Sequence, residues 1–309
     1  MPASIDAGPV LTRGTPSRTQ GLPVSKPGLC ADTHDLSDTL ANIVGAMFAD
    51  AWAEWHAEHE RRRSAPHGFL AVTGLHWLSG SPQRFEDLPG EWSSSLGGVT
   101  VTLRDGEELT LGDRVLGVGA HDLGKVDEEG VAAAFGDAIA EIARRGEGVI
   151  VRPRHPENQT RLAYEGTPAF APSERWLVPA RFVPHAAARS VSLATVIDGL
   201  LDRDLATGRV EFEVDGLALS LTVFPGAAPG SLTTLFTDAT SGVTTYPASR
   251  RLNLPAPAAD GRLTIDFNRA TNLPCAYTAF ATCALAPPEN RLPVAITAGE
   301  KTPFPSAHS

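Results

Sequence analysis

The segment GRVEFEVDGLALSLTVFPG, from Gly208 to Gly226, decides the class of fold. Two runs of alternating apolar and polar residues flank the pair Asp215-Gly216. Alternation with a period of two is typical of a strand with one buried face. An Asp-Gly pair between two such runs is typical of a type I′ hairpin turn. The segment therefore predicts two antiparallel strands joined by a tight turn.

The same strand-like pattern extends to both sides of this hairpin. Short runs of branched or alternating residues begin near Gly97 and dominate from Gly148 onward. The chain contains 29 Gly and 25 Pro, which favours many turns, and successive hairpins follow without intervening helices. Such an order is typical of antiparallel sheets. We therefore expect a mainly β protein, with the sheets in a sandwich or a barrel-like arrangement.

Two segments are predicted to be helical. Apolar residues at steps of three and four between Leu40 and Trp55 predict an amphipathic N-terminal helix over 38–63. The helix is expected to end before Pro66, because the residue before a proline disfavours helical backbone. The run GVAAAFGDAIAEIARRG is interpreted as one short additional helix near 131–145.

The first 35 residues differ in composition from the rest of the chain. They are rich in Pro, Gly, Ser and Thr without periodicity, which predicts a disordered leader over 1–35. They contain no apolar core of the length that a signal peptide has. We expect 36–305 to form a single β-rich domain, with the helix 38–63 at its start.

Charge and hydropathy exclude several classes of partner. The net charge is −10, which argues against a nucleic-acid partner, because phosphate binding depends on clustered Lys and Arg. No window approaches a transmembrane span, so no membrane partner is expected. The cytoplasm is the expected location, with reduced thiols. The sequence does not indicate an oligomeric state.

Several motifs that define well-known enzyme classes are missing. The sequence has no Gly-x-Gly-x-x-Gly after a strand, no Walker loop, no Gly-x-Ser-x-Gly and no Cys-x-x-Cys. Dinucleotide, P-loop and α/β-hydrolase chemistry therefore lack support, and no organic cofactor is identified. His56, Glu58 and His59 lie close together on the first helix, but the order His-Glu-x-x-His is absent, so no metal site is predicted.

Polar residues concentrate near the C-terminus, in LTIDFNRATNLPCAYTAFATCALAPPENRLPVAITAGEK from Leu263 to Lys301. The pattern predicts a strand that ends near Asn268, a turn, an extended Cys275–Cys283 segment and a final strand in LPVAITA. Strand ends and adjoining loops are where binding sites usually lie. This stretch is therefore expected to contribute most of a functional site.

Our hypothesis is a pocket for a small polar or anionic metabolite, in an enzyme that uses Asp266 as acid or base. Cys275 is a second catalytic candidate, as a nucleophile. Arginine suits an anionic ligand because its planar fork meets an oxyanion with two bonds. The candidate ligand-binding residues are Arg161, Tyr246, Arg250, Asn268, Asn272, Arg291 and Glu300.

The same residues allow other interpretations. The chain could be a non-catalytic ligand-binding or interaction module whose polar cluster is structural, with Arg250 and Asp266 as a buried ion pair. Cys275 and Cys283 could be small core residues, because free cysteine is among the most buried residue types. They could also be zinc ligands, with Glu300 or a histidine, or a redox pair.

Several motifs together resemble one bacterial family. DFNRATNLPCAY is followed by CALAPPENRL and AGEK, and further matches are GFLAVTGLHWLSG, Arg161–Gly166 and Asp238–Arg250. In this order they are similar to the domain-of-unknown-function family 1684, between about Trp55 and Lys301. The family implies no activity. The chain departs from its pattern at His155, Thr271 and Leu273, where the family usually shows Asp, Tyr and Pro.

Overall fold

A computed structural model describes residues 33–303, with 33–42 and 44 described by backbone alone. The chain divides into two compact units, Met1–Ile43 and Val44–Ser309. The predicted leader lies outside the described residues except for its last positions, which begin the first helix. The helices are α1 (Thr33–Arg63), α2 (Gln159–Leu162) and the 3₁₀ turns Phe69–Ala71, Glu174–Trp176, Phe267–Arg269, Pro274–Ala276 and Pro288–Asn290.

Most of the regular secondary structure in residues 33–303 consists of strands. In chain order they are β1 (His76–Trp77), β2 (Gln83–Arg84), β3 (Glu91–Ser95), β4 (Gly98–Leu103), β5 (Leu109–Leu111), β6 (Arg114–Leu116), β7 (Gly119–Gly124), β8 (Val131–Phe135), β9 (Ala138–Arg145), β10 (Gly148–Arg154), β11 (Leu177–Ala194), β12 (Leu201–Val214), β13 (Leu217–Pro225), β14 (Leu232–Phe236), β15 (Arg250–Leu254), β16 (Arg262–Asp266) and β17 (Thr271–Asn272).

These strands form three antiparallel sheets. The six-stranded sheet has the order β1-β10-β9-β8-β5-β6, and the four-stranded sheet has the order β2-β3-β4-β7. The seven-stranded sheet has the order β16-β11-β12-β13-β14-β15-β17. The predicted mainly β, antiparallel class with an N-terminal helix is confirmed. Within the described part of the chain, no helix has the length and apolar character needed to cross a bilayer.

The sheets bury two main cores. The four-stranded and six-stranded sheets share one of them, in which Trp92 and Val101 pack with Ala140 and Ile142. The seven-stranded sheet buries the other, around residues such as Phe267. Burial of apolar side chains contributes about 25 cal/mol per Å² of area removed from water, so these cores supply the main stabilisation of the sheets.

The hairpin predicted from Gly208–Gly226 is confirmed. Val214 pairs with Leu217 across the turn between β12 and β13. Asp215 has a φ of 52° and Gly216 a φ of 79°. Positive φ at both central positions defines a type I′ turn, which suits the twist of the two strands.

The interpretation of 131–145 as a helix is wrong, because β8 and β9 form a hairpin there. Phe135 pairs with Ala138 across the turn, where Gly136 has a φ of 52°. Alternate residues of β9 point into the core, with Ala140 and Ile142 fully buried. The period of two and the turn-forming glycine outweigh the helical preference of the alanines.

The C-terminal segment is less regular than the sequence predicts. LPVAITA does not form the predicted strand. Its Leu292 N–H donates to Thr237 O at 2.8 Å, and its Val294 O accepts from Ala239 N–H at 3.0 Å. These bonds go to loop residues instead of to a continuous strand. The segment is still part of the core, because Ile296 is fully buried against the seven-stranded sheet.

Candidate functional site

Arg250, a predicted ligand-binding residue, is buried in a structural ion pair. It is 1% exposed and donates to Asp238 Oδ2 at 2.5 Å and to Ile296 O at 3.2 Å. Its guanidinium lies 5.0 Å from the centre of the Phe236 ring. The expected pair between Arg250 and Asp266 is therefore not formed, because Asp238 is the partner.

Asp266 begins the 3₁₀ turn Phe267–Arg269 as its N-cap. Its carboxylate accepts from Asn268 N–H at 3.1 Å, Asn268 Nδ2 at 2.9 Å and Arg269 Nε at 3.1 Å. Asn268 is itself buried, and its side chain exchanges two hydrogen bonds with the backbone of Ser173. Both residues connect backbone segments, as short polar side chains commonly do at turns.

Arg161 and Arg291 lie apart from these residues. Arg161 Nε donates to Ser64 O at 2.9 Å, just beyond the end of α1, and its Nη1 donates to Pro156 O at 2.7 Å. It therefore satisfies carbonyl groups at the end of a helix, which lack partners within the helix. Arg291 is exposed to solvent.

Glu300 and Asn272 belong to a buried cluster that we call the Arg63 network. Arg63 is 2% exposed, and its Nη1 donates to Glu60 Oε1 at 2.7 Å and to Tyr164 OH at 3.0 Å. Its Nη2 donates to Glu300 Oε1 at 2.6 Å. The further members are His59, Thr167, Asn272 and Tyr277.

Glu300 connects this network to the C-terminal strand β17. Its Oε2 accepts from the Asn272 N–H at 2.6 Å and from Tyr277 OH at 3.4 Å. Burial raises the pKa of the Glu300 carboxyl, and the charge of Arg63 opposes that shift. A buried carboxylate in this position depends on its guanidinium partner, because an unpaired buried charge is costly.

His56 and His59 of α1 lie beside this guanidinium, and both have lowered pKa values. Burial, together with the charge of Arg63, lowers the pKa of His59 to about 4. His59 Nε2 lies 2.7 Å from Arg63 Nη2, so the neutral ring accepts a hydrogen bond from it. Burial also lowers the pKa of His56, whose ring stacks on Trp52.

His56, Glu60 and Glu300 form a group with metal-ligand geometry, since their ligand atoms lie within 4.8 Å of one another. Arg63 donates to both of these carboxylates, however, and supplies the positive charge that a metal ion would otherwise bring. A cation placed there would be repelled by the guanidinium. The arrangement fits a buried ion pair better than a metal centre.

A separate cleft of about 310 Å³ lies between the six-stranded and seven-stranded sheets. Arg145 on β9 and Arg152 on β10 line one side, and Arg251 on β15 lines the other. A loop from Leu273 to Ala284 forms part of the wall. The other lining residues are Glu128, Gly146, Thr195, Leu200, Leu201 and Asp202.

The two described cysteines meet at this cleft as free thiols. Cys283 lines the cleft, and its Sγ accepts from the Cys275 N–H at 3.4 Å. A hydrogen bond from the Cys275 thiol lowers the pKa of Cys283, and Arg251 and Arg152 act in the same direction. The same bond raises the pKa of Cys275.

The cysteines come together through a turn. Pro274–Ala276 is a 3₁₀ turn, so the expected extended strand between the thiols is not present. Tyr246, a predicted ligand-binding residue, donates from its hydroxyl to Cys275 O at 2.7 Å. Burial raises the pKa of Tyr246 to about 12. Tyr246 and Cys275 are thus the predicted site residues that the fold places beside the cleft.

The arginines give the cleft an excess of positive charge. Three arginines line it against two carboxylates, Glu128 and Asp202. Glu128 already accepts from Arg144 at 2.6 Å. Burial lowers the pKa of Arg145, and the neighbouring charge of Arg152 lowers it further. An anion between these guanidinium groups would relieve their mutual repulsion.

Sequence analysis missed the arginines of both sites. Arg63 is one of three consecutive arginines at the end of α1, and only its contacts with Glu60 and Glu300 distinguish it. Arg251 follows Arg250 on a strand, where consecutive side chains point to opposite faces. This alternation is the one sequence pattern that could have distinguished the buried Arg250 from the exposed Arg251.

Comparisons with known proteins give one family match and one solved structure, and neither names an activity. The family model described as "Protein of unknown function (DUF1684)" matches residues 162–301, so this part of the chain is similar to that family. A solution NMR structure of an uncharacterized protein from Haloarcula marismortui is 33% identical, over 49% of this chain and 83% of that chain. Its TM-score is 0.40. No curated protein matches the chain.

Proposed function

We propose that the protein binds a small molecule with a carboxylate or phosphate group in the cleft between the six-stranded and seven-stranded sheets. The observation that carries this proposal is the position of Arg251. It lies on the cleft wall and has no ion pair or side-chain hydrogen bond among residues 33–303, whereas Arg145 and Arg152 share Glu141. Arg251 is therefore free to pair with a ligand anion.

Size supports the same proposal. A volume of about 310 Å³ is at the lower end of the range for ligand pockets, about 300–1,000 Å³, so the ligand is a small molecule.

Replacing Arg251 with alanine is expected to weaken the affinity for such an anion about 10- to 100-fold, which is the effect of losing one charged hydrogen bond. Isothermal titration calorimetry against succinate, citrate, inorganic phosphate and sugar phosphates measures it. Arg209→Ala is the matched control, because Arg209 is an exposed strand arginine paired with Glu211. Equal affinities in the two variants, or no binding to the parent protein, would contradict the proposal.

Asp266 remains a predicted acid or base, and its contacts give it a second role as an N-cap. Replacing it with alanine is expected to lower the free energy of unfolding by about 1 kcal/mol, because the cap is lost. Asp266→Asn keeps one accepting oxygen and should recover most of that stability. Thermal denaturation of both variants measures this. If either variant retained stability but lost turnover of a ligand found by calorimetry, Asp266 would be catalytic.

A further inference from the structure

We infer that Cys283 and Cys275 form a reactive dithiol that reduces a small disulfide carrying carboxylate groups, with Cys283 as the attacking thiol and Cys275 as the resolving thiol. This inference rests on the proposed anion-binding function, since the same arginines bring the substrate to Cys283. It adds a reaction to what would otherwise be a binding site.

Position assigns the two roles. Cys283 lines the cleft, whereas Cys275 does not line it and has its N–H 3.4 Å from Cys283 Sγ. A substrate in the cleft therefore meets Cys283 first. Tyr246 fixes the Cys275 backbone through the 2.7 Å bond to its carbonyl oxygen, which holds the second thiol within reach of the first.

Charge favours the same assignment. The thiolate is the reactive form of cysteine, and nearby cations and hydrogen-bond donors stabilise it. Cys283 has Arg251 and Arg152 nearby and accepts from Cys275. The hydrogen bond to Cys283 raises the pKa of Cys275. Of the two thiols, Cys283 therefore loses its proton more readily.

The reaction proceeds in two balanced steps. The Cys283 thiolate attacks one sulfur of the substrate, a Cys283–sulfur bond forms, and the substrate S–S bond breaks, with its electron pair leaving on the first thiolate. Cys283 has then lost its negative charge, so Cys275 gives up its proton to solvent more readily. The Cys275 thiolate attacks Cys283 Sγ, forms the protein disulfide and releases the second thiolate.

The arginines define the substrate class. Cys283 and Arg251 both line the cleft, and the charge of Arg251 acts on Cys283, so a molecule whose disulfide reaches Cys283 places its neighbouring groups near a guanidinium. Carboxylates are favoured there and ammonium groups are repelled. Two-electron reduction of a disulfide requires a second thiol beside the attacking one, and Cys275 is that thiol. A cysteine nucleophile in acyl transfer would not require it.

The test uses the full chain in a Cys30→Ser background, which leaves Cys275 and Cys283 as its thiols. Oxidised glutathione is the anionic probe and cystamine the cationic probe, with rates and products followed by intact-protein mass spectrometry. We expect glutathione disulfide to react at least about tenfold faster than cystamine at low ionic strength, with less difference in high salt. The product should be the protein disulfide.

The cysteine variants separate the roles. Cys283→Ser should react at least about tenfold more slowly, because the attacking thiolate is lost. Cys275→Ser should accumulate the glutathione adduct on Cys283, because nothing resolves it. Reaction of Cys283→Ser at the parent rate, or a stable adduct on the parent protein, would overturn the inference.

Failure of the reaction and failure of anion binding give different results. Calorimetric binding of anions that depends on Arg251, without exchange that depends on Cys283, would overturn the dithiol reaction and leave the proposed function intact. Exchange at equal rates with both probes would instead overturn the anionic substrate class and the anion-binding cleft together.

Discussion

Replacing Arg63 with methionine is expected to lower the free energy of unfolding by about 3–5 kcal/mol, the cost of leaving a buried charge without its partner. Methionine keeps much of the length of the side chain but removes every donor. Glu300, which is 1% exposed, would then be buried without a cation, and Tyr164 would lose a hydrogen bond. Urea denaturation of the purified variant measures the change.

The same helix turn provides the control. Arg61 and Arg62 carry the same charge but are 67% and 75% exposed, and both pair with Glu58. Exposed ion pairs contribute about 0–1 kcal/mol, so Arg61→Met and Arg62→Met should change stability little. Combining Arg63→Met with Glu300→Gln should recover part of the loss, since the unpaired carboxylate is also removed. Similar stability of all three single variants would contradict a stabilising network.

Arg250→Met is expected to cost about 3–5 kcal/mol for the same reason, because Asp238 is fully buried and would lose its partner. The loss should appear as a lower midpoint of urea denaturation. Its neighbour Arg251 provides a control at an adjacent position of the same strand. Arg251→Met should change stability by less than about 0.5 kcal/mol, because it removes no described contact.

The two variants should show the opposite order in anion affinity: the variant that loses stability keeps its affinity, and the variant that keeps stability loses affinity. Arg251→Met should weaken binding in the cleft, as Arg251→Ala does. Arg250→Met, at temperatures where it stays folded, should bind as the parent protein does. If Arg250→Met were stable but lost affinity, Arg250 would be a ligand-binding residue, as the sequence predicts, and the structural role assigned from its contacts would be wrong.

Local patterns explain which parts of the fold were predictable. The turn at Asp215-Gly216 is specified by two residues and their flanking strands, so the sequence alone predicts it. The segment 131–145 contains alanines and isoleucines that fit a period of two and a helical period equally well. The turn at Gly136 and the pairing of β8 with β9 across it decide between them, and the helical preference of the alanines hides that turn in the sequence.

The residues of the Arg63 network and of the cleft were harder to predict than the fold, because their roles depend on partners that are far away in the sequence. Arg63 and Glu300 are 237 positions apart, and nothing near either residue indicates the pair. Among the polar residues of the C-terminal stretch, Asn272 and Glu300 join the Arg63 network, whereas Arg291 is exposed. Asn268 and Arg250 use their hydrogen bonds on backbone carbonyls and Asp238, a use that a list of residue types does not reveal. The cleft arginines belong to two different sheets.

The Arg63–Glu300 pair also has a consequence for how the chain folds during synthesis. Helix α1 is made early and already contains Glu60, but Arg63 meets its second carboxylate, Glu300, only after residue 300 has been translated. At about 5–20 residues per second, that interval lasts on the order of tens of seconds. During it, Glu60 is the carboxylate beside Arg63. A ribosome that stalls before Glu300 therefore leaves the Arg63 network without its second carboxylate.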